Sequence, residues 1–240
     1  MVGDGATLNV VPSNFSVTLV EPEYPINLGY IARLMKNFGV AKLYLVKPKV
    51  DLSVASIYAS HGVDILDSAE KTNLSDVRKR HELLVATTAI RARKKANVVR
   101  RSMRPEDAAS FIRGAESSSL VLGRDSTGLM NEEIKKCDIL TTIDTGTSYT
   151  TLNVSHAAAI MLYLVARDKP SARTVRRRSR DLFAEQLYEL AIAAKFQKHK
   201  RAGLSEAVKR IATTSQVSEK ELFLMTGILR KAFQTISERK

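Results

Sequence analysis

Three polar patches interrupt a chain that otherwise runs through short apolar and amphipathic stretches. They are Asn27-Leu28-Gly29-Tyr30-Ile31-Ala32-Arg33, Leu122-Gly123-Arg124-Asp125-Ser126-Thr127-Gly128-Leu129 and Tyr149-Thr150-Thr151-Leu152-Asn153-Val154-Ser155-His156. Each stands at the end of a strand-like run or at the mouth of a helix-like one. Backbone N–H groups there lack partners, and α/β proteins bind their ligands at such places. Amides, hydroxyls and arginines gathered in this way could hold a polar ligand through side chains and main chain together. One patch alone carries little; three in a single chain point to one site assembled from several loops.

The intervening elements fit that purpose. Phe15 to Val20 reads as a strand, ended by Glu21-Pro22-Glu23-Tyr24-Pro25. Asn27 is placed to cap the following helix, whose apolar positions Ile31, Leu34, Met35 and Phe38 recur at helical spacing until Gly39. Leu43 to Val46, Leu83 to Thr87, Leu120 to Leu122 and Ile139 to Ile143 have the length and apolarity of buried parallel strands. Helical segments lie near Val54 to Ser60, Asn73 to Lys79, Pro105 to Ile112 and Asn131 to Lys136. Alternating strands and helices predict an α/β domain with a mainly parallel sheet. No Gly-x-Gly-x-x-Gly follows the first strand, which argues against the ordinary Rossmann arrangement.

The expected division is a flexible leader over 1–14, an α/β domain over 15–167, a basic linker over 168–180 and a helical module over 181–240. In the last part, Leu182, Phe183, Leu187, Leu190 and Ala194 form one apolar face, and a short helix follows from Ser205 to Ala212. Ser218-Glu219-Lys220-Glu221 has the form of a capping box opening a final helix. The apolar set of that helix, from Leu222 to Phe233, is wide enough to pack two neighbours.

Composition narrows the class. The 240 residues are 44% hydrophobic, ordinary for a globular protein, yet carry a formal charge of +13. That surplus favours a polyanionic partner, nucleic acid before an anionic membrane. Basic residues 91, 93, 94, 95, 100, 101 and 104 fall in a stretch without acids from Leu83 to Pro105. Seven more basic residues lie between Arg167 and Arg180. Both stretches read as phosphate-binding surfaces, assigned to Arg91, Arg93, Lys94, Lys95, Arg100 and Arg101, and to Arg176, Arg177 and Arg178. The four histidines (61, 81, 156 and 199) lack ligand-like spacing, so no metal is expected. The lone Cys137 fits a reducing compartment, and no apolar run has membrane-spanning length. A cytoplasmic, soluble protein is expected.

The three patches resemble the motifs of the SpoU branch of the SPOUT RNA methyltransferases. The matching residues are Asn27, Gly29 and Arg33; Gly123, Asp125, Gly128 and Leu129; and Leu152, Asn153 and Ser155. The run Thr88 to Arg93 and the helical tail are similar to the TrmJ subgroup. The resemblance spans roughly residues 15 to 166. It implies a C-terminal trefoil knot near Gly123 to Leu164, a homodimer, and S-adenosylmethionine as cofactor. It also implies methylation of a ribose 2′-hydroxyl on tRNA, at cytidine or also uridine 32 of the anticodon loop. Another tRNA position or rRNA is an alternative substrate, and a non-catalytic RNA-binding protein of the same fold is a reading from another class.

Carried over residue by residue, the cofactor pocket uses Thr88, Ala89, Ile90, Gly123, Ile143, Thr150, Thr151 and Leu152. Gly123 suits that role because a missing Cβ lets a ligand come close to the chain. The catalytic set is Asn27, Arg33, Asp125, Asn153 and Ser155. Because a guanidinium stays charged, Arg33 is expected to hold RNA phosphate and offset the developing alkoxide, approaching the cofactor of the partner subunit. Asp125 replaces the glutamate usual in the family, one methylene shorter, so any bridge to Arg33 must be rebuilt or use water. His156 is expected as a packed neutral side chain.

Overall fold

The computed structural model describes residues 11–89, 102–167, 175–215 and 217–238. Two compact units divide the chain, Met1–Ser171 and Ala172–Lys240.

The described residues of the first unit form six parallel strands: β1 (Phe15–Val20), β2 (Lys42–Val46), β3 (Glu70–Thr72), β4 (Leu83–Thr87), β5 (Ser118–Leu122) and β6 (Ile139–Thr141). Their order across the sheet is β3-β2-β1-β5-β4-β6. Every residue of β1 and β5 is buried, as strands covered on both faces require. Alternation along the strands sorts the core into two layers. Phe15, Val17, Leu19, Leu120 and Leu122 face one way, against α1 (Pro25–Asn37), α2 (Leu52–Ala59), α5 (Pro105–Gly114) and α7 (Val154–Arg167). Val20, Leu84, Ala86 and Val121 face the other way, against α4 (Leu74–Arg80) and α6 (Asn131–Lys135). Cys137 is free and buried in this second layer. A short α3 (Val63–Asp67) completes the unit.

Several boundaries differ from the sequence reading. Asn27 is not the cap of α1, because the helix starts at Pro25, whose fixed φ and missing N–H suit the first turn. Val11, expected within a flexible leader, is buried in the core, and the Phe15 N–H donates to the Pro12 carbonyl at 2.9 Å. β3 has only three residues, Glu-Lys-Thr, on the sheet edge, too polar to announce itself.

β6 is held on both edges. The Thr88 N–H donates to the Thr141 carbonyl at 3.0 Å, from the end of β4. On the other edge, the Met103 N–H donates to the Leu140 carbonyl at 2.9 Å, and Thr141 Oγ1 donates to the Met103 carbonyl at 3.0 Å. The two described ends of the connection from β4 to α5 therefore flank β6. Asp138 fixes its entry, receiving Arg78 through two nitrogens at 2.5 and 2.8 Å and the Leu84 N–H at 2.9 Å.

In the second unit the described residues form α8 (Arg177–Ala193), α9 (Lys198–Thr214) and α10 (Glu219–Ser237) around Val175, Ala212 and Leu222. The sequence placed 168–180 in a linker, yet Arg177 to Arg180 form the first turn of α8. Glu219 explains this start, accepting the Arg176 N–H at 2.5 Å and the Ser179 hydroxyl at 2.6 Å. The apolar face read on this helix also shifts: Ala184 and Ala191 are buried, whereas Leu182 is exposed. Instead of a short helix from Ser205, α9 runs over seventeen residues. The capping box of α10 forms as read, the Ser218 N–H donating to Glu221 Oε2 at 2.8 Å. One face of α10 buries Leu222, while Phe223, Leu224 and Ile228 remain exposed.

Candidate active site

The three polar patches meet at the C-terminal edge of the sheet, near β1, β5 and β6, where the strand order reverses. A run of hydrogen bonds joins them. The buried Ser155 donates its hydroxyl and its N–H to Asn153 Oδ1, at 2.7 and 2.8 Å. Asn153 Nδ2 donates to Asn27 Oδ1 at 3.0 Å, and Asn27 Nδ2 donates to Asp125 Oδ1 at 2.5 Å. The other oxygen of Asp125 accepts the N–H groups of Glu23 and Tyr24 at 2.8 and 3.2 Å. Asp125 thus satisfies donors at the start of α1 that the helix itself leaves open, and its negative charge suits that end of the helix dipole. Asp125 makes no direct hydrogen bond or ion pair with Arg33; its carboxylate engages Glu23, Tyr24 and Asn27 at the start of α1.

Beside this run lies a cavity of about 220 Å³. Thr88, Ala89, Gly123, Ile143, Thr150, Thr151 and Leu152 all line it, together with Asp125. Ile90 lies outside the described residues, as do Arg91, Arg93, Lys94, Lys95, Arg100 and Arg101. Gly123 is required for a reason the sequence did not suggest. A Cβ there would stand 2.3 Å from the Gly128 carbonyl carbon and the Leu129 nitrogen, so the loop could not fold back on itself. Gly128 closes that turn with φ +69°, and Gly29 lets α1 approach Ala55 and Tyr58 of α2.

A second, ionic connection was missed in the sequence. Arg124, almost wholly buried, reaches Glu21 at 2.7 Å and Glu133 at 2.9 Å. Ser126 donates its hydroxyl and N–H to Glu23, at 2.6 and 3.1 Å. Arg124, and then Lys49 at 2.9 Å, hold the Glu21 carboxyl down to about 2. Two acids in the turn after the first strand, and an arginine beside Gly123, were the signal. They read as turn residues because nothing local pairs them.

Arg33 is exposed on α1 and does not line the cavity. Among the described residues it makes no hydrogen bond or ion pair. His156 is exposed on α7, not packed as expected. In the second unit Arg176 and Arg178 are exposed and Arg177 is half-buried. Arg180, by contrast, is buried and donates to Thr213 Oγ1 at 2.5 Å, which withdraws it from any phosphate-binding strip. No group of side chains suited to a metal ion occurs among the described residues. None of their helices is long and apolar enough to cross a membrane.

Comparison with known proteins agrees with the arrangement. The chain is 30% identical over 230 residues to tRNA (cytidine-2′-O-)-methyltransferase TrmJ of Sulfolobus acidocaldarius, covering 93% of this chain and 95% of that protein. Against TrmJ of Methanocaldococcus jannaschii the identity is 32% over 226 residues, with 90% and 98% covered. The crystal structure of TrmJ from Z. mobilis shares the fold, with a TM-score of 0.64 at 21% identity over 90% of this chain and 97% of that one. Residues 14–163, which hold all three motifs and the whole sheet, match the profile of the SpoU rRNA Methylase family, and the chain belongs to that family.

Proposed function

We propose that the protein transfers a methyl group from S-adenosylmethionine to a ribose 2′-hydroxyl of tRNA, at cytidine (or also uridine) 32 of the anticodon loop. The observation that carries this reading is the hydrogen-bonded run from Ser155 through Asn153 and Asn27 to Asp125, set against the cavity. A tRNA substrate is supported by the TrmJ relatives of Sulfolobus acidocaldarius and Methanocaldococcus jannaschii, which match 93% and 90% of this chain. The family's name points to rRNA instead, and the experiment below separates the two.

The cavity suits the cofactor. Its walls combine small or branched residues such as Thr88, Ala89, Ile143 and Thr151 with the loop from Gly123 to Leu129, at the ends of β4, β5 and β6. S-adenosylmethionine supplies a methyl group already activated on a sulfonium, so the remaining demand is to align the hydroxyl and stabilise its oxygen. Ser155 Oγ spends its proton on Asn153 and keeps lone pairs to receive one. Arg33, exposed and unengaged among the described residues, is placed to bind RNA phosphate and offset charge on the nucleophile.

The site is completed by a second copy of the chain. Leu34 and Phe38 of α1 and Ile160 and Tyr163 of α7 line an open groove of about 960 Å³, the face on which the partner would seat. Pairing there carries Arg33 to the partner's cavity. A trefoil knot in the first unit is supported by β6 lying between the two ends of one connection. Arg91, Arg93, Lys94, Lys95, Arg100, Arg101, Arg176, Arg177 and Arg178 are assigned to RNA phosphate, and the cytoplasm is the compartment where tRNA is met.

The test is incubation with unmodified tRNA or rRNA and isotope-labelled S-adenosylmethionine, followed by mass spectrometry of nuclease fragments. One labelled 2′-O-methylribose in the tRNA anticodon loop is expected. Label on a base, label only in rRNA, or no label would refute the proposal.

A further inference from the structure

We infer that Arg124 is a positioning residue for the methyl donor: clamped between Glu21 and Glu133, it fixes the loop that forms one wall of the cavity. The inference rests on the methyl-donor reading of that cavity.

All five donors of this guanidinium are engaged. Nε and Nη2 reach the two oxygens of Glu21, at 3.2 and 2.7 Å. Nη1 and Nη2 reach the two oxygens of Glu133, at 3.0 and 2.9 Å, and Nη1 also reaches the Gly128 carbonyl at 3.2 Å. With its side chain only 6% exposed, Arg124 has no donor left for RNA, so its work is internal.

Those contacts tie down three separate points. Glu21 sits just past β1 with φ +48°, a left-handed conformation that costs energy for a side chain with a Cβ. Arg124 and Lys49 hold its carboxylate there. Glu133, at the start of α6, also accepts the Met130 N–H at 2.7 Å and fixes the far end of the loop. Between them, Arg124 and Gly128 exchange backbone hydrogen bonds at 3.3 and 3.0 Å, and the loop so closed faces the cavity. Removing one partner of a buried ion pair leaves the other charge unmatched, so the cluster holds its geometry tightly. The strained residue and the buried charges therefore act together on the shape of the cofactor wall.

The experiment is titration calorimetry of the full chain with S-adenosylmethionine, alongside filter binding of tRNA, on wild type, Arg124→Gln, Arg124→Lys and Glu133→Gln. Arg124→Gln is expected to raise the dissociation constant for S-adenosylmethionine about tenfold or more, the effect of losing one charge-assisted hydrogen bond. Arg124→Lys should recover part of that loss. Binding of tRNA should stay within about twofold, since no donor of Arg124 faces it. If Arg124→Gln does not fold, Glu133→Gln, which leaves the Glu21 pair in place, should give a smaller shift in the same direction. A folded variant that binds the donor like wild type, or that weakens donor and tRNA alike, overturns the inference. Wild type that binds no S-adenosylmethionine would sink the parent reading itself, a result visible before any variant is compared.

Discussion

Asn153 Nδ2 donates to Asn27 Oδ1 at 3.0 Å across 126 residues of chain, and this bond joins the loop after β6 to the first turns of α1. Asn27 was expected at the helix start as a cap. It lies further in, buried, and uses both ends of its amide between Asn153 and Asp125. The helix that presents Arg33 is thereby tied to Asp125, which lines the cavity.

Arg33 should be needed for methyl transfer and dispensable for folding. It is exposed and unpaired among the described residues, so Arg33→Ala should change stability by less than about 0.5 kcal/mol. Single-turnover transfer should nevertheless fall about 100-fold or more. Arg33→Lys should keep the charge, lose the planar fork and remain at least about tenfold slow. Near-normal turnover by the lysine variant would mean that fork geometry plays no part.

Gly123→Ala should damage the cavity, because the added Cβ would press on the backbone of Gly128 and Leu129, which cannot rotate away. A loss of about 1–3 kcal/mol in urea unfolding is expected, with weaker cofactor binding. Gly203→Ala is the contrast. That glycine lies within α9 with nothing within 4 Å of a new Cβ, so alanine should stabilise by about 0.5–1 kcal/mol.

Acid should loosen the ion cluster in a defined window. The Glu21 carboxyl is lowered from 4.5 to about 2, chiefly by Arg124 and then Lys49. A depressed folded value means the contribution is complete above 4.5 and is lost as pH falls from there toward 2. The thermal midpoint of Glu21→Gln should therefore lie below wild type at neutral pH, and the gap should close through that window. A gap independent of pH would show that the charge on Glu21 does not matter to stability.

How far these features could be read from the chain depended on distance along it. β1 and β4 were legible because short runs rich in β-branched and apolar residues, such as Phe15 to Val20, closed by turn residues have few uses other than a strand. The cavity wall from Thr150 to Leu152 was legible only through family motifs, since threonines and a leucine have no chemistry of their own. The start of α8 was hidden because four arginines read as a basic linker, and Glu219, which receives that turn, lies forty-three residues beyond Arg176. The Glu21–Arg124–Glu133 cluster was hidden for a similar reason: its longer link spans 103 residues, and no local pattern signals a partner so remote.

The most direct test of a single linked site is a double-mutant cycle on Asn27→Ala and Asn153→Ala, read as the single-turnover rate of methyl transfer to tRNA at saturating cofactor. If the two amides act as one unit, each variant should be slow and the double variant about as slow as the worse single one. If the losses instead multiply, the two loops act independently, and the account of one site held together by the Asn27–Asn153 bond is wrong.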